Sequence, residues 1–118
     1  MSKRFLTLLV VLVLSTISLL SRQGGFSGPG LEIISVSQAR QLRDDTPVRL
    51  QGKIERFLGD EKYLFYDATG KITIEIDDDI WKGLVVDEND LIEIIGEIDK
   101  NLMKTEIDVD SIKKIITE

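Results

Sequence analysis

The side chains able to do chemistry in this sequence are carboxylates and a few aromatics, because it contains no His and no Cys. That removes the Ser-His-Asp triad, the cysteine nucleophile and the ordinary zinc or copper centre. No glycine-rich phosphate loop of either standard spacing is present. Glu75, Glu93 and Glu97 remain as acid/base candidates. An exposed carboxylate with an ordinary pKa does nothing by itself, and no apolar pocket is visible to raise one. No catalytic residue and no cofactor are therefore expected; the chain does not read as an enzyme. Asp77-Asp78-Asp79 and Asp87-Glu88-Asn89-Asp90 carry hard oxygen ligands. Neither run has the glycine and closing glutamate of a calcium loop, so they read as solvated turns and helix caps, with no metal site expected.

The ligand-contact candidates are Tyr66, Glu75, Trp81, Asp99 and Lys100. Tyr66 can stack on a planar group or take a cation on its face, with Glu75 as the charge partner. The simpler reading is an exposed cross-strand pair that supports a sheet. Trp81 is either a binding platform or a plug over the end of a small core. Asp67 is expected to bond to the amides of its own turn.

These residues depend on a hairpin. Lys62 to Asp67 and Lys71 to Ile76 are β-rich runs joined by Asp67-Ala68-Thr69-Gly70. Alternation of Ile72, Ile74 and Ile76 with Lys71, Thr73, Glu75 and Asp77 predicts one buried and one wet face. Tyr63 and Phe65 then point inward, and Leu64, Tyr66, Thr73 and Glu75 outward.

Upstream, a basic start (Lys3, Arg4) precedes an uncharged run from Phe5 to Leu20. That is the layout of an export signal. Residues 1–23 are expected to be the signal peptide, 24–32 a flexible linker rich in Gly, and 33–118 the folded domain. Thr16-Ile17-Ser18 and Gly25-Phe26-Ser27 are the small-residue exits on offer, and an uncleaved N-terminal anchor is the alternative. The expected location is the periplasm, with membrane contact only through an uncleaved leader. Of the 15 Lys and Arg, three precede residue 24, leaving 12 against all 21 Asp and Glu, a net of −9. Such a body repels phosphate backbones, so nucleic acid is not an expected partner.

Along the domain, Ile33 to Leu42 reads as a short helix capped by Ser35 or Ser37, ended by Asp44-Asp45-Thr46-Pro47. Val48 to Leu58 is the first strand. Its apolar parity slips between Ile54 and Phe57, so a bulge is expected near Arg56, and Gly52 eases the bend. Asp77 to Gly83 is a turn and short helical segment capped by an aspartate. Leu91 to Ile98 is the fourth strand, Asp99 to Lys104 a hairpin loop, and Thr105 to Val109 the fifth strand, which Ser111 to Ile116 extends. Glu106 and Asp108 should face outward. The fold class is thus all-β with minor α. The architecture is a five-stranded Greek-key barrel of the oligonucleotide/oligosaccharide-binding (OB) type, with a short N-terminal helix and a helical insert between strands three and four. An open sheet or sandwich is the alternative.

The longest distinctive run is Leu58-Gly59-Asp60-x-x-Tyr63-x-Phe65-x-Asp67-Ala68-Thr69-Gly70. With Ile74-Glu75-Ile76-Asp77, Trp81-x-Gly83, Gly96-Glu97-Ile98-Asp99-Lys100 and Glu106-Ile107-Asp108-Val109, the chain resembles the bacterial OB-fold (BOF) family, the YgiW/YdeI group of small exported stress-tolerance proteins. The resemblance implies an OB barrel, export and a periplasmic role in tolerance of oxidative, acid or cationic stress. It implies action through a bound small molecule or envelope component. A protein-interaction module acting through a protein partner is the alternative.

Overall fold

The computed structural model describes residues 30–116. The signal peptide expected at 1–23 and residues 24–29 of the linker lie outside the described residues. The elements are β1 (Ile33–Ile34), α1 (Val36–Ala39), β2 (Pro47–Gly59), β3 (Lys62–Asp67), β4 (Gly70–Glu75), a 3-10 turn (Asp78–Ile80), β5 (Ile92–Lys100) and β6 (Thr105–Lys114). The sheet order is β1-β2-β3-β4-β6-β5, and β2 also pairs with β5. β2 to β6 thus close into the expected five-stranded barrel. β1 adds two residues in parallel beside Arg49 and Leu50.

β2 closes the barrel by changing partners along its length. Pro47 to Gly52 pair with β5, and Lys53 to Gly59 pair with β3. The pivot is Gly52, where an added Cβ would lie 2.3 Å from the Tyr66 carbonyl oxygen and 2.6 Å from Phe65 Cζ. No other side chain fits beneath the Phe65 ring at this bend. The expected bulge is present, with the register slipping between Ile54 and Arg56. It returns Phe57, opposite Tyr63, to the face that Ile54 shares with Phe65. A slip between Ile95 and Gly96 lets β6 coil over β5.

The core is aliphatic around one ring. Leu50, Phe65, Ile72, Ile74, Ile76, Ile92, Ile94, Ile98 and Ile107 are fully buried, in line with the inward parity of each run. α1 seals this core at the β3–β4 turn. It is a single turn, shorter than the helix expected over 33–42, because Ile33 and Ile34 join the sheet instead. Val36 and Ala39 are its buried side. Ser35 is the N-cap: its Oγ accepts from the Gln38 amide, and Gln38 Oε1 accepts from the Ser35 amide. The two amides left over find the hairpin turn. Val36 N–H donates to Asp67 Oδ2 at 2.9 Å, and Ser37 N–H donates to Thr69 Oγ1 at 3.0 Å. Asp67 Oδ1 also accepts from the Thr69 amide and hydroxyl. Partial burial alone pushes the Asp67 carboxyl up, but the hydrogen bonds from Thr69, Val36 and Gly70 outweigh it and hold the carboxyl below its usual value.

Two local expectations are corrected. Asp99 and Lys100 belong to β5, paired with Glu106 and Thr105, so the hairpin loop is only 101–104. Asn101 is the reason: its Oδ1 accepts from the Met103 and Lys104 amides and closes a tight turn. The 3-10 turn has no side-chain cap from Asp77. Glu61 caps it instead, its Oε2 accepting from the Asp78 amide at 2.9 Å.

Candidate functional site

The outer face of β4, β6 and β5 gathers acid because three strand registers align. Lys62 lies opposite Glu75, Glu75 beside Asp108, and Asp108 opposite Glu97. The neighbouring row is Leu64, Thr73, Glu106 and Asp99. Strands run about 4.8 Å apart, so acidic positions fall on neighbouring strands along each row. Lys62 Nζ reaches Glu106 Oε1 at 3.0 Å, and Lys104 Nζ reaches Oε2 at 3.3 Å. Both cations of this face are thereby spent on Glu106. Glu106 was expected to be a plain outward residue; these two lysines cover it, leaving it 7% exposed.

The electrostatics follow from that division. At Glu106, burial pushes the carboxyl up, but the Lys62 and Lys104 hydrogen bonds prevail and lower it. At Glu75, burial and then the Asp108 charge raise the carboxyl. At Asp108, burial and then Asp110, Asp77 and Asp99 raise it too. Burial is the leading cause at both, the neighbouring carboxylates add to it, and the Lys62 charge offsets part of the rise at Glu75. Among the described residues no group of three or more carboxylates is placed to hold a metal ion.

The expected site residues do not form one constellation. Tyr66 lies opposite Lys71 and Lys53, whereas Glu75 lies opposite Lys62. Four residues of strand separate them, about 13 Å, so Glu75 is not the charge partner of a cation on the Tyr66 ring. Tyr66 instead lines a separate depression of about 330 Å³ with Gly52, Lys53, Ala68 and Leu91. Lys100 is tied into the fold: its amide donates to Asp44 Oδ1 at 2.7 Å and its Nζ to the Arg40 carbonyl at 2.9 Å. Asp99 stays exposed on the acidic face. Trp81 is half-buried against the core, with its ring set edge-on to Tyr63 at 5.5 Å and 71°.

Glu93, an acid/base candidate, is buried at 3% exposure. Burial pushes its carboxyl up, yet hydrogen bonds from Gln51 and Arg49, with the Lys113 charge, hold it below the usual value. A carboxyl held ionised in this way is no proton donor near neutrality. Sequence reasoning missed Glu106 and Asp108 as members of the acidic face. Their outward parity was readable, but the parallel pairing of β4 with β6 that sets them beside Glu75 carries no local signal.

The chain has relatives along nearly its whole length. The family model described as bacterial OB fold (BOF) protein matches residues 16–114. Protein YgiW of Escherichia coli K12 is 37% identical over 127 residues, covering 96% of this chain and 98% of the relative. The calcium-regulated OB-fold protein CarO of Pseudomonas aeruginosa is 36% identical over 118 residues, covering 98% of this chain and 99% of its own. The solved structure of E. coli YgiW superposes with a TM-score of 0.72 at 46% identity, covering 78% of this chain and 99% of that one. Barrel, registers and relatives agree: this chain belongs to the bacterial OB-fold (BOF) family.

Proposed function

We propose that this protein is a non-catalytic periplasmic binding protein that contributes to envelope stress tolerance by taking up small polyvalent cations on the outer face of β4, β6 and β5. The observation that carries the reading is the row Glu75–Asp108–Glu97, three acidic positions in register on adjacent strands, while Lys62 and Lys104 are engaged by Glu106. A linear ammonium chain lies along such a row and replaces repulsion with charge-assisted hydrogen bonds. An OB barrel that binds nucleic acid presents a basic groove to the backbone; this face has the opposite sign.

The test is a backbone amide NMR titration with spermidine. Saturable shifts are expected at residues 75, 97, 99 and 108, weakened several-fold in the Glu75→Gln/Asp108→Asn double variant and by added salt. Shifts that avoid this face, or a double variant that binds like the parent, would remove the assignment.

One feature favours a second reading, a protein-interaction module. Leu102 and Met103 on the β5–β6 turn are 104% and 90% exposed, and Asn101 holds the turn that displays them. Photocrosslinking from position 102 in the periplasm decides. Capture of one protein partner, together with an absent spermidine response, supports the interaction reading over the cation reading.

A further inference from the structure

A second concave surface lies on the other face of the same hairpin, where the barrel interior runs out into solvent. The bulge after Ile54 turns Phe57 back to the inner face, beyond the point where the core closes. Phe57 is consequently 60% exposed although it faces the same way as Phe65. Three rings then line up: Phe57 and Tyr63 at 5.1 Å and 48°, Tyr63 and Trp81 at 5.5 Å and 71°. With Ile54 and Val86 they bound a cleft of about 290 Å³. That is close to the lower end of small-molecule sites, about 300 Å³.

The rim of this cleft is acidic. Asp87 and Glu88 line it together with Glu55 and Arg56. Arg56 Nε lies 3.8 Å from Glu55 Oε2, and Lys71 reaches Glu55 Oε1 at 2.6 Å. Among the residues that line the cleft, the three carboxylates of Glu55, Asp87 and Glu88 outnumber the single cation, Arg56. Glu88 has no ion-pair partner among the described residues. Asp87 Oδ1 accepts from the Asn89 amide, which holds its carboxylate in place at the rim. Aromatic faces attract cations through the ring quadrupole, and carboxylates at the rim reinforce the same sign. An anion meets repulsion here, and a neutral ligand gains only the apolar contact.

We infer that this cleft binds a small organic cation with a compact apolar or aromatic body, of the quaternary or aryl-alkyl ammonium class. The body lies between Phe57 and Trp81, and the charge points to Asp87 and Glu88. This goes beyond the proposal above, which concerns polyvalent cations on the outer face, and it stands or falls separately.

Trp81 is the single tryptophan of the chain, so its fluorescence reports on the cleft alone. Benzyltrimethylammonium is expected to change it saturably, with a dissociation constant on the order of 1 mM. Neutral benzyl alcohol should bind at least about tenfold more weakly, the loss of the cation–π and rim-charge attraction. Phe57→Ser, a change at an exposed ring, and Asp87→Asn/Glu88→Gln, which keeps the acceptor for the Asn89 amide, should each weaken binding about fivefold or more. The outer-face variant Glu75→Gln/Asp108→Asn should leave the titration unchanged. A neutral ligand that binds as tightly as the cation, or cleft variants that bind like the parent, overturns the inference. Sensitivity confined to the outer-face variant overturns it as well.

Discussion

Replacing Gly96 with alanine is expected to lower the stability of the barrel by about 3 kcal/mol, the upper part of the overpacking range. The measurement is urea unfolding, read as a fall in midpoint at unchanged slope. Gly96 is held between Val48 of β2 and Val109 of β6, at the register slip that lets β6 coil over β5. A Cβ there would stand 2.1 Å from the Asp108 carbonyl oxygen, 2.9 Å from its carbon and 3.0 Å from Val109 Cα. All three are backbone atoms, so relief requires separating two strands that both close the barrel. Gly70→Ala is the control, because the nearest atom to its Cβ is Val36 Cγ1 at an ordinary 3.6 Å. It should change stability by less than about 1 kcal/mol. Equal midpoints for Gly96→Ala and the parent would contradict the close approach of β5 and β6.

Arg49→Met is expected to cost about 2–3 kcal/mol at pH 7, because it leaves the buried Glu93 carboxylate without its guanidinium. Arg49 Nη2 lies 3.1 Å from Glu93 Oε1, and Gln51 Nε2 reaches the same oxygen at 3.0 Å. The figure is set below that of a fully buried pair because the Arg49 side chain keeps 25% exposure and Lys113 remains 3.5 Å from Glu93 Oε2. The pH dependence identifies the cause. In the parent the folded Glu93 pKa is depressed. Its stabilisation is therefore complete above the unfolded value, about 4.3, and is lost as pH falls through the folded pKa. In the variant burial dominates, the folded pKa no longer lies below the unfolded one, and acid removes nothing further from this group. The gap between parent and variant must then narrow over the interval below about pH 4.3, as pH falls through the depressed folded Glu93 pKa of the parent. A gap that stays constant over that interval would show that lost packing, rather than the stranded charge, explains the cost.

Much of the barrel was legible because its strands obey period two. The Ile72-Ile74-Ile76 alternation placed the core face, and the parity slip before Phe57 placed the bulge. Gly52 marked the bend because nothing larger fits under Phe65. What escaped was long-range pairing. Arg49 and Glu93 both read as outward residues, and only the β2–β5 register, joining positions 44 apart, makes them a buried pair. The acidic face was hidden for the same reason, since Glu75 meets Asp108 through a parallel contact with no turn to announce it. The Tyr66–Glu75 pairing failed differently. Counting back from the Asp67–Gly70 turn sets Glu75 opposite Lys62, so that register was readable from the hairpin alone. Trp81, just after the 3-10 turn, packs against the core as its reading as a plug expected, and it also lines the cleft.

The parallel contact between β4 and β6 also governs how the chain reaches its native state. It consists of three residue pairs, Thr73–Glu106, Ile74–Ile107 and Glu75–Asp108. It is the shortest seam of the closed barrel, and it joins positions 33 apart in the sequence. Barrels dominated by such non-local pairings fold in roughly milliseconds to seconds. Before the seam closes, Ile74 and Ile107 are still in water, and the edge of β4 stands open to any passing strand. Glu75 is the carboxylate on that edge, and it repels an approaching acidic strand. A carboxylate on the outer face of the finished barrel thus also guards the half-built one against aggregation.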